Sequence, residues 1–152
     1  MSYKEKSTWA SLLLTGFILC FYINELLVAQ HLVQLSEEFV VSLFVKIVLI
    51  TIVVEIITQT ALALMHSKEA KKGDDEREKT FKLLGYRNAY YTLTSGIFIA
   101  LFLLWNTDIS ISNFGFGELS PAYNTLSFLL ISFLLAEIIY YASQVYLYRR
   151  GF

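Results

Sequence analysis

The chain has 152 residues, of which 56% are apolar and only 16% are charged, and its mean hydropathy is +0.56. A soluble domain of this length would not hide so many apolar side chains from water. The formal net charge of −1 gives no support for a nucleic-acid partner. The single cysteine, Cys20, excludes a disulfide framework within the chain. The composition therefore indicates one membrane-embedded domain that covers residues 1–152 and has the lipid bilayer as its main partner.

Four apolar segments are each long enough to cross the hydrocarbon core, which takes about 20 residues. In chain order they cover residues 9–29, 39–65, 89–105 and 122–147. Pro121, the only proline, stands directly before the fourth segment, where its missing N–H costs least. We predict an all-α integral membrane four-helix bundle with up-down-up-down connectivity.

Basic residues are confined to a few places along the chain. Of the twelve Lys and Arg residues, eleven lie at the start of the chain, in the connection 66–88 between the second and third spans, or at the end. The other two connections contain neither residue type. The positive-inside rule therefore predicts that connection 66–88 and both ends of the chain are cytoplasmic.

The two halves of the chain resemble each other. Glu-Ile-Ile occurs at residues 55–57 and again at residues 137–139, an offset of 82 without a gap across spans two and four. Both hairpins would start on the same side of the membrane, so the match predicts two tandem helical hairpins in a parallel repeat. The alternative is chance similarity between apolar sequences.

Spans one and three share a pattern in which two small residues are separated by three others. Gly16 and Cys20 form the pair in span one, and Gly96 and Ala100 form the pair in span three. Small residues at this spacing allow helix backbones to approach closely in lipid. We predict that these four residues lie at helix-packing positions.

Ionisable side chains inside a span are costly and often mark functional positions. Glu55 and Glu137 lie near the middle of spans two and four, and each belongs to a polar stripe at helical spacing. The stripes and the remaining ionisable candidates are Thr51, Glu55, Gln59, Glu137, Tyr141, Gln144, Lys46 and Glu25. If the stripes face each other, two carboxyl groups meet at low dielectric and form a candidate proton or cation site. The alternative is that both glutamates only fix helix packing, and that Lys46 pairs with Glu25 or extends towards water.

No known catalytic motif is present in the chain. There is no glycine-rich nucleotide loop and no serine, cysteine and histidine arrangement typical of a hydrolase. His31 and His66 fall at opposite ends of the second span, too far apart to ligate one metal or haem. We therefore predict that the protein is not an enzyme and holds no metal or cofactor.

The connection before span three carries the largest group of charged residues. Asp75 followed by Glu78 predicts a capping box, and hence a helix that starts here and continues into span three. Candidate partner-binding residues at this position are Asp74, Asp75, Glu76, Arg77 and Glu78. Contact of the same charges with lipid headgroups is the alternative.

The run DDEREK at residues 74–79, followed by YRNAYY at residues 86–91, resembles the small prokaryotic membrane proteins grouped as domain-of-unknown-function family 2178. The resemblance covers nearly the whole chain. It implies a compact four-helix protein of the prokaryotic inner membrane, in some cases encoded near a small helix-turn-helix regulator. It carries over no catalytic residues.

Two functions are compatible with these features. The first is a non-enzymatic sensor or regulatory partner whose cytoplasmic loop binds a cytoplasmic regulatory protein, with no direct nucleic-acid contact. The second is a small ion- or proton-coupled transporter or channel that uses Glu55 and Glu137. Because four short spans leave little room for a pore, a homo-oligomer is expected in the second case.

Overall fold

The computed structural model describes residues 3–31, 36–65, 75–105 and 120–150. These ranges contain four long helices, which are α1 (Tyr3–His31), α2 (Glu37–Met65), α3 (Glu76–Trp105) and α4 (Pro121–Arg150). Each helix is long and apolar enough to cross a membrane. The predicted all-α bundle of four membrane spans is confirmed.

The helices extend beyond the apolar segments from which they were predicted. α1 begins at Tyr3 rather than near residue 9, and α3 begins at Glu76 rather than near residue 89. Hydropathy marks only the part of a helix that lies in hydrocarbon, whereas backbone hydrogen bonding continues into the polar flanks. Most of the predicted connection 66–88 is therefore the first part of α3, and residues 66–74, including Asp74, lie outside the described residues.

Side chains at the start of α3 cap its free N–H groups. The Asp75 N–H donates a hydrogen bond of 2.9 Å to Glu78 Oε2, which is one half of the predicted capping box. The Asp75 carboxylate accepts from the Glu76 N–H at 2.7 Å. These contacts explain why a helix begins in a stretch that hydropathy alone would assign to a loop.

Neighbouring helices in the chain run antiparallel. The start of α1 lies beside the end of α2, since Ser7 Oγ donates a hydrogen bond of 2.7 Å to Gln59 Oε1. The start of α3 lies beside the end of α4, since the ring centroids of Phe81 and Tyr148 are 5.1 Å apart. The connectivity is therefore up-down-up-down.

α4 holds the bundle together. It packs against α3 most extensively and also against α1 and α2, whereas α2 and α3 make scarcely any backbone contact with each other in the described ranges. The two hairpins therefore pack differently, because α4 contacts three helices and α2 contacts only two. The internal repeat stays a prediction from the sequence.

Charged residues gather where α1 and α3 begin and α4 ends, and we name this region the charged end. Its members include Lys4, Glu5, Glu78, Lys82, Arg149 and Arg150. The Lys4 ammonium forms an ion pair with Glu78. Arg149 Nε lies 3.5 Å from Glu5 Oε1. These ion pairs join α1 to both α3 and α4, and the membrane side that this end faces stays a prediction.

The small residues of α3 pack against α4. Ala100 is fully buried. A Cβ atom added at Gly96 would overlap the side chain of Ser132, so the absence of a side chain at Gly96 permits the close approach of the two helices.

The matching pair in α1 does not pack against the other helices of this chain. A Cβ atom added at Gly16 would meet no atom of the described residues within 4 Å, and Cys20 is exposed. α1 instead turns towards its neighbours a face that includes the buried residues Ser11, Thr15 and Tyr22. The predicted packing role of Gly16 and Cys20 therefore does not apply inside this bundle.

Candidate functional site

A cavity of about 680 Å³ lies in the half of the bundle next to the charged end. All four helices contribute to its wall. Because α2 and α3 scarcely touch, helix packing leaves space between them. The two intramembrane carboxyl groups that the sequence singled out, Glu55 and Glu137, both line this cavity.

Glu55 is held by donors from three helices. Its Oε1 atom accepts hydrogen bonds from Ser11 Oγ at 2.8 Å and from Tyr141 OH at 3.1 Å. Gln59, one turn along α2, donates to the same atom at 3.1 Å and to Ser11 Oγ at 2.8 Å. We name Ser7, Ser11, Glu55, Gln59 and Tyr141 the Glu55 network. The network fixes the carboxyl group of Glu55 in place and joins α1, α2 and α4.

Glu137 has a different environment from that of Glu55. It lies half-buried on α4 and lines the same cavity. No hydrogen bond or ion pair to Glu137 is found among the residues that the structure describes. The carboxyl groups of Glu137 and Glu55 interact electrostatically, so they repel each other when both are ionised. Glu137 therefore presents an unoccupied acceptor to the cavity.

Aromatic rings form much of the remaining wall. Six tyrosines and one phenylalanine line the cavity, namely Tyr3, Tyr86, Tyr90, Phe133, Tyr140, Tyr141 and Tyr148. The rings of Tyr86 and Tyr140 pair across α3 and α4 with their centroids 4.6 Å apart. The ring centroids of Tyr140 and Tyr141 lie 5.0 Å apart. The cavity thus combines two carboxyl groups with an aromatic surface.

Two lysines stand at the end of the cavity nearest to the charged end. Lys4, on the first turn of α1, is ion-paired with Glu78. Lys82 lies on the second turn of α3. The basic side chains that line the cavity therefore lie near the charged end, and its two carboxyl groups, those of Glu55 and Glu137, lie deeper in the bundle.

The structure brings together five of the predicted pathway residues. Those that line the cavity are Glu55, Gln59, Glu137, Tyr141 and Gln144. Gln144 is buried, and its Nε2 atom lies 3.4 Å from the backbone oxygen of Tyr140. Thr51 belongs to the same sequence stripe as Glu55 but lies outside the cavity wall. Its hydroxyl donates to the Ile47 carbonyl of its own helix at 2.8 Å.

Lys46 and Glu25 lie outside the cavity. Lys46 is exposed on α2, and its Nζ atom lies 5.8 Å from the centroid of the Phe21 ring. Glu25 is half-buried near the end of α1, and no ion pair joins it to Lys46 in the described ranges. Neither residue is placed to act on a ligand of this cavity.

The predicted partner-binding residues have mixed environments. Glu78 is occupied by Lys4 and by the Asp75 N–H. Lys79 Nζ lies 2.7 Å from Glu76 Oε1 in an ion pair. The Arg77 guanidinium lies 5.3 Å from the centroid of the Phe81 ring. Asp75, Glu76 and Arg77 remain exposed.

Sequence reasoning missed the serines of α1. Ser7 and Ser11 bind Gln59 and Glu55 across the α1–α2 interface. Their spacing of four residues, which places both on one face of α1, is the signal that identifies them. Serine is common in membrane helices, so this spacing carries weight only when the facing helix is known.

The part of the chain that the structure describes contains no group of three or more His, Cys, Asp or Glu residues able to hold a metal ion. No family model, curated protein or solved structure matches this chain. The resemblance to domain-of-unknown-function family 2178 stays a prediction that rests on residues 74–79 and 86–91.

Proposed function

We propose that the protein binds a cation or a proton in this cavity and moves it across the membrane as a small ion- or proton-coupled transporter. One observation carries the proposal: Glu137 lines the same cavity as Glu55 and has no hydrogen-bond or ion-pair partner among the described residues. A charged side chain at the centre of a span raises the free energy of inserting the helix into the membrane by about 2.5–3.5 kcal/mol. A bound proton or cation offsets that cost, and release of the ligand restores it.

The contrast between the two carboxyl groups gives them separate roles. Glu55 accepts three hydrogen bonds at one oxygen, so its position is fixed by α1, α2 and α4. Glu137 lacks such donors and is the group that takes up the ligand. When Glu55 is ionised, its charge strengthens cation binding at Glu137, because both carboxyl groups line the same cavity.

One chain is sufficient to form this site, because its own four helices line the cavity. Movement of α2 relative to α3 would open and close the cavity without breaking a packed interface between these two helices, since they scarcely touch. Transport by this route therefore does not require the homo-oligomer expected from the sequence.

Flux measurements test the proposal. The purified protein is reconstituted in vesicles that contain a pH-sensitive dye, and proton movement is followed under an imposed membrane potential. We expect Glu137→Gln to abolish the flux and Glu55→Gln to reduce it. Glu25→Gln is the matched control, because it removes an intramembrane carboxyl group outside the cavity. A flux that persists in the Glu55→Gln, Glu137→Gln double variant would overturn the proposal.

A second candidate function is regulation of another protein through the start of α3. It is favoured by the exposure of Asp75, Glu76 and Arg77, and the side chain of Glu76 is 89% exposed. Charge reversal at Asp75 and Glu76 leaves the Lys4 and Glu78 pair in place and should abolish co-purification of a cytoplasmic partner. Unchanged co-purification would exclude this role for the exposed face.

A further inference from the structure

We propose that the ligand of the cavity is an organic ammonium cation with an apolar or aromatic body. This inference rests on the proposed function, because it names the kind of cation that Glu137 receives. Three properties of the cavity carry it: its size, its aromatic wall and the order of charges along its depth.

The cavity is too large for a bare ion. Its volume of about 680 Å³ compares with about 30 Å³ for one water molecule and lies in the range of pockets that hold small organic molecules. The described residues contain no group of three or more His, Cys, Asp or Glu side chains that could hold a metal ion. The space around Glu137 therefore suits a molecule with a body as well as a charge.

The residues that line the cavity suit the apolar or aromatic part of such a ligand. Seven aromatic residues line the cavity, and an aromatic ring both attracts an ammonium group over its face and packs against apolar carbon. Leu93 and Ala89 add apolar surface from α3. A carboxyl group in a cavity that aromatic residues also line is suited to substituted ammonium ions, because aromatic rings attract such cations and the carboxylate supplies the counter-charge.

The register of α3 and α4 brings an aromatic residue to the level of Glu137. Tyr86 pairs with Tyr140, and Gly96 lies against Ser132, so antiparallel counting from either contact places Tyr90 opposite residues 136–138. Tyr90 and Glu137 both line the cavity. The backbone of Tyr90 therefore lies at the level of Glu137, on the facing helix of the same cavity.

The order of charges also selects a cation. Lys4 and Lys82 lie near the charged end, whereas Glu137 stands 13 residues before Arg150, about 20 Å along α4. The deeper part of the cavity contains two carboxyl groups that interact with each other. An ionised carboxyl group there would repel an anion, and of an anion, a neutral molecule and a cation only the cation supplies the counter-charge that an ionised Glu137 needs.

A pair of nearly isosteric compounds tests the inference. Benzyltrimethylammonium carries a positive nitrogen where neopentylbenzene has a neutral carbon, so the two differ mainly in charge. Binding of each to the full-length protein in lipid nanodiscs is measured by calorimetry, with empty nanodiscs subtracted and potassium chloride as the inorganic comparison. We expect saturable binding of the ammonium compound alone.

Substitutions at two adjacent tyrosines provide the internal control. Loss of one cation–π contact should weaken binding by about three- to thirtyfold in Tyr90→Leu, whereas Tyr90→Phe should retain it. Tyr91→Leu should leave binding unchanged, because Tyr91 lies outside this cavity. Both tyrosines are more than 60% exposed, so neither change removes packing that the fold needs. Glu137→Gln should weaken binding by at least about tenfold.

The outcomes separate this inference from the proposed function. Equal binding of the neutral compound, or equal effects of Tyr90→Leu and Tyr91→Leu, would overturn the ammonium site. Absence of ammonium binding together with a Glu137-dependent proton flux would overturn the inference and leave the proposed function standing. Absence of both binding and flux would overturn the two together.

Discussion

Glu55 shows how a carboxyl group is accommodated inside a membrane helix. Its Oε1 atom accepts from a serine on α1, a glutamine on its own helix and a tyrosine on α4. Two of these bonds cross helix interfaces, so the same contacts that satisfy the carboxyl group also hold three helices together. Glu137 lacks comparable contacts in the described ranges, and the two glutamates are therefore expected to respond differently to substitution.

Stability measurements can separate these roles. Glu55→Leu removes the acceptor of both interhelical hydrogen bonds and should lower the free energy of unfolding by about 1–3 kcal/mol, whereas Glu55→Gln retains an oxygen acceptor and should cost less. Unfolding in mixed micelles, followed by circular dichroism, gives these values. Thr51→Val is the control, because the Thr51 hydroxyl binds only a carbonyl of its own helix. If Glu55→Leu is as stable as the control, the network contributes nothing to the fold.

The site residues differ in how far sequence could identify them. The cost of burying a carboxyl group makes Glu55 and Glu137 conspicuous, and helical spacing then adds Gln59, Tyr141 and Gln144, all of which line the cavity. Most of the aromatic wall could not be predicted. Tyrosines such as Tyr86 and Tyr90 also suit a membrane interface, so their assignment to a cavity depends on which helix faces which.

At the scale of single helices, hydropathy predicted all four spans but not the residues at which α1 and α3 begin. α3 shows the reason. Its first turns contain Glu76, Arg77, Glu78 and Lys79, which lower hydropathy but are compatible with a capped helix that continues into the membrane. The sequence suggested helix pairing only for the polar stripes of α2 and α4, where Tyr141 does donate to Glu55. The apolar faces of the spans carry little information about which face meets a neighbour.

The two pairs of small residues have the same spacing, but only the pair in α3 packs against another helix. This difference leads to a prediction about stability. Gly96→Ala should destabilise the fold by about 1–3 kcal/mol, because the added methyl group meets Ser132. Gly16→Ala should cause no loss, since no atom of the described residues lies within 4 Å of the new Cβ atom. The same unfolding assay compares them.

A second-site change sharpens that comparison. Ser132→Gly removes the side chain that the new methyl group would meet, and it should recover part of the stability lost in Gly96→Ala. Equal effects of alanine at Gly16 and Gly96 would show that the close contact between α3 and α4 is not a determinant of stability.

At the scale of the whole molecule, the orientation in the membrane follows from the basic residues and stays a prediction. We expect a cysteine at Lys79, which is exposed at the charged end, to react with a membrane-impermeant maleimide only after cells are opened. A cysteine at Ser36, which is exposed at the opposite end of the bundle, should react in intact cells. Both are placed in a Cys20→Ala background, which removes the only native thiol. The reverse pattern would invert the topology.

The central position of α4 has a consequence for how the protein is made. Synthesis proceeds from α1 to α4, so the helix that contacts the other three is the last of them to leave the ribosome. Until then α1 and α2 have only each other, and α3 lacks its main packing partner. Assembly of the bundle therefore completes only after the fourth span has been translated. In a nascent chain stalled before Pro121, the first three helices lack their packing contacts with α4 and are exposed to membrane proteases.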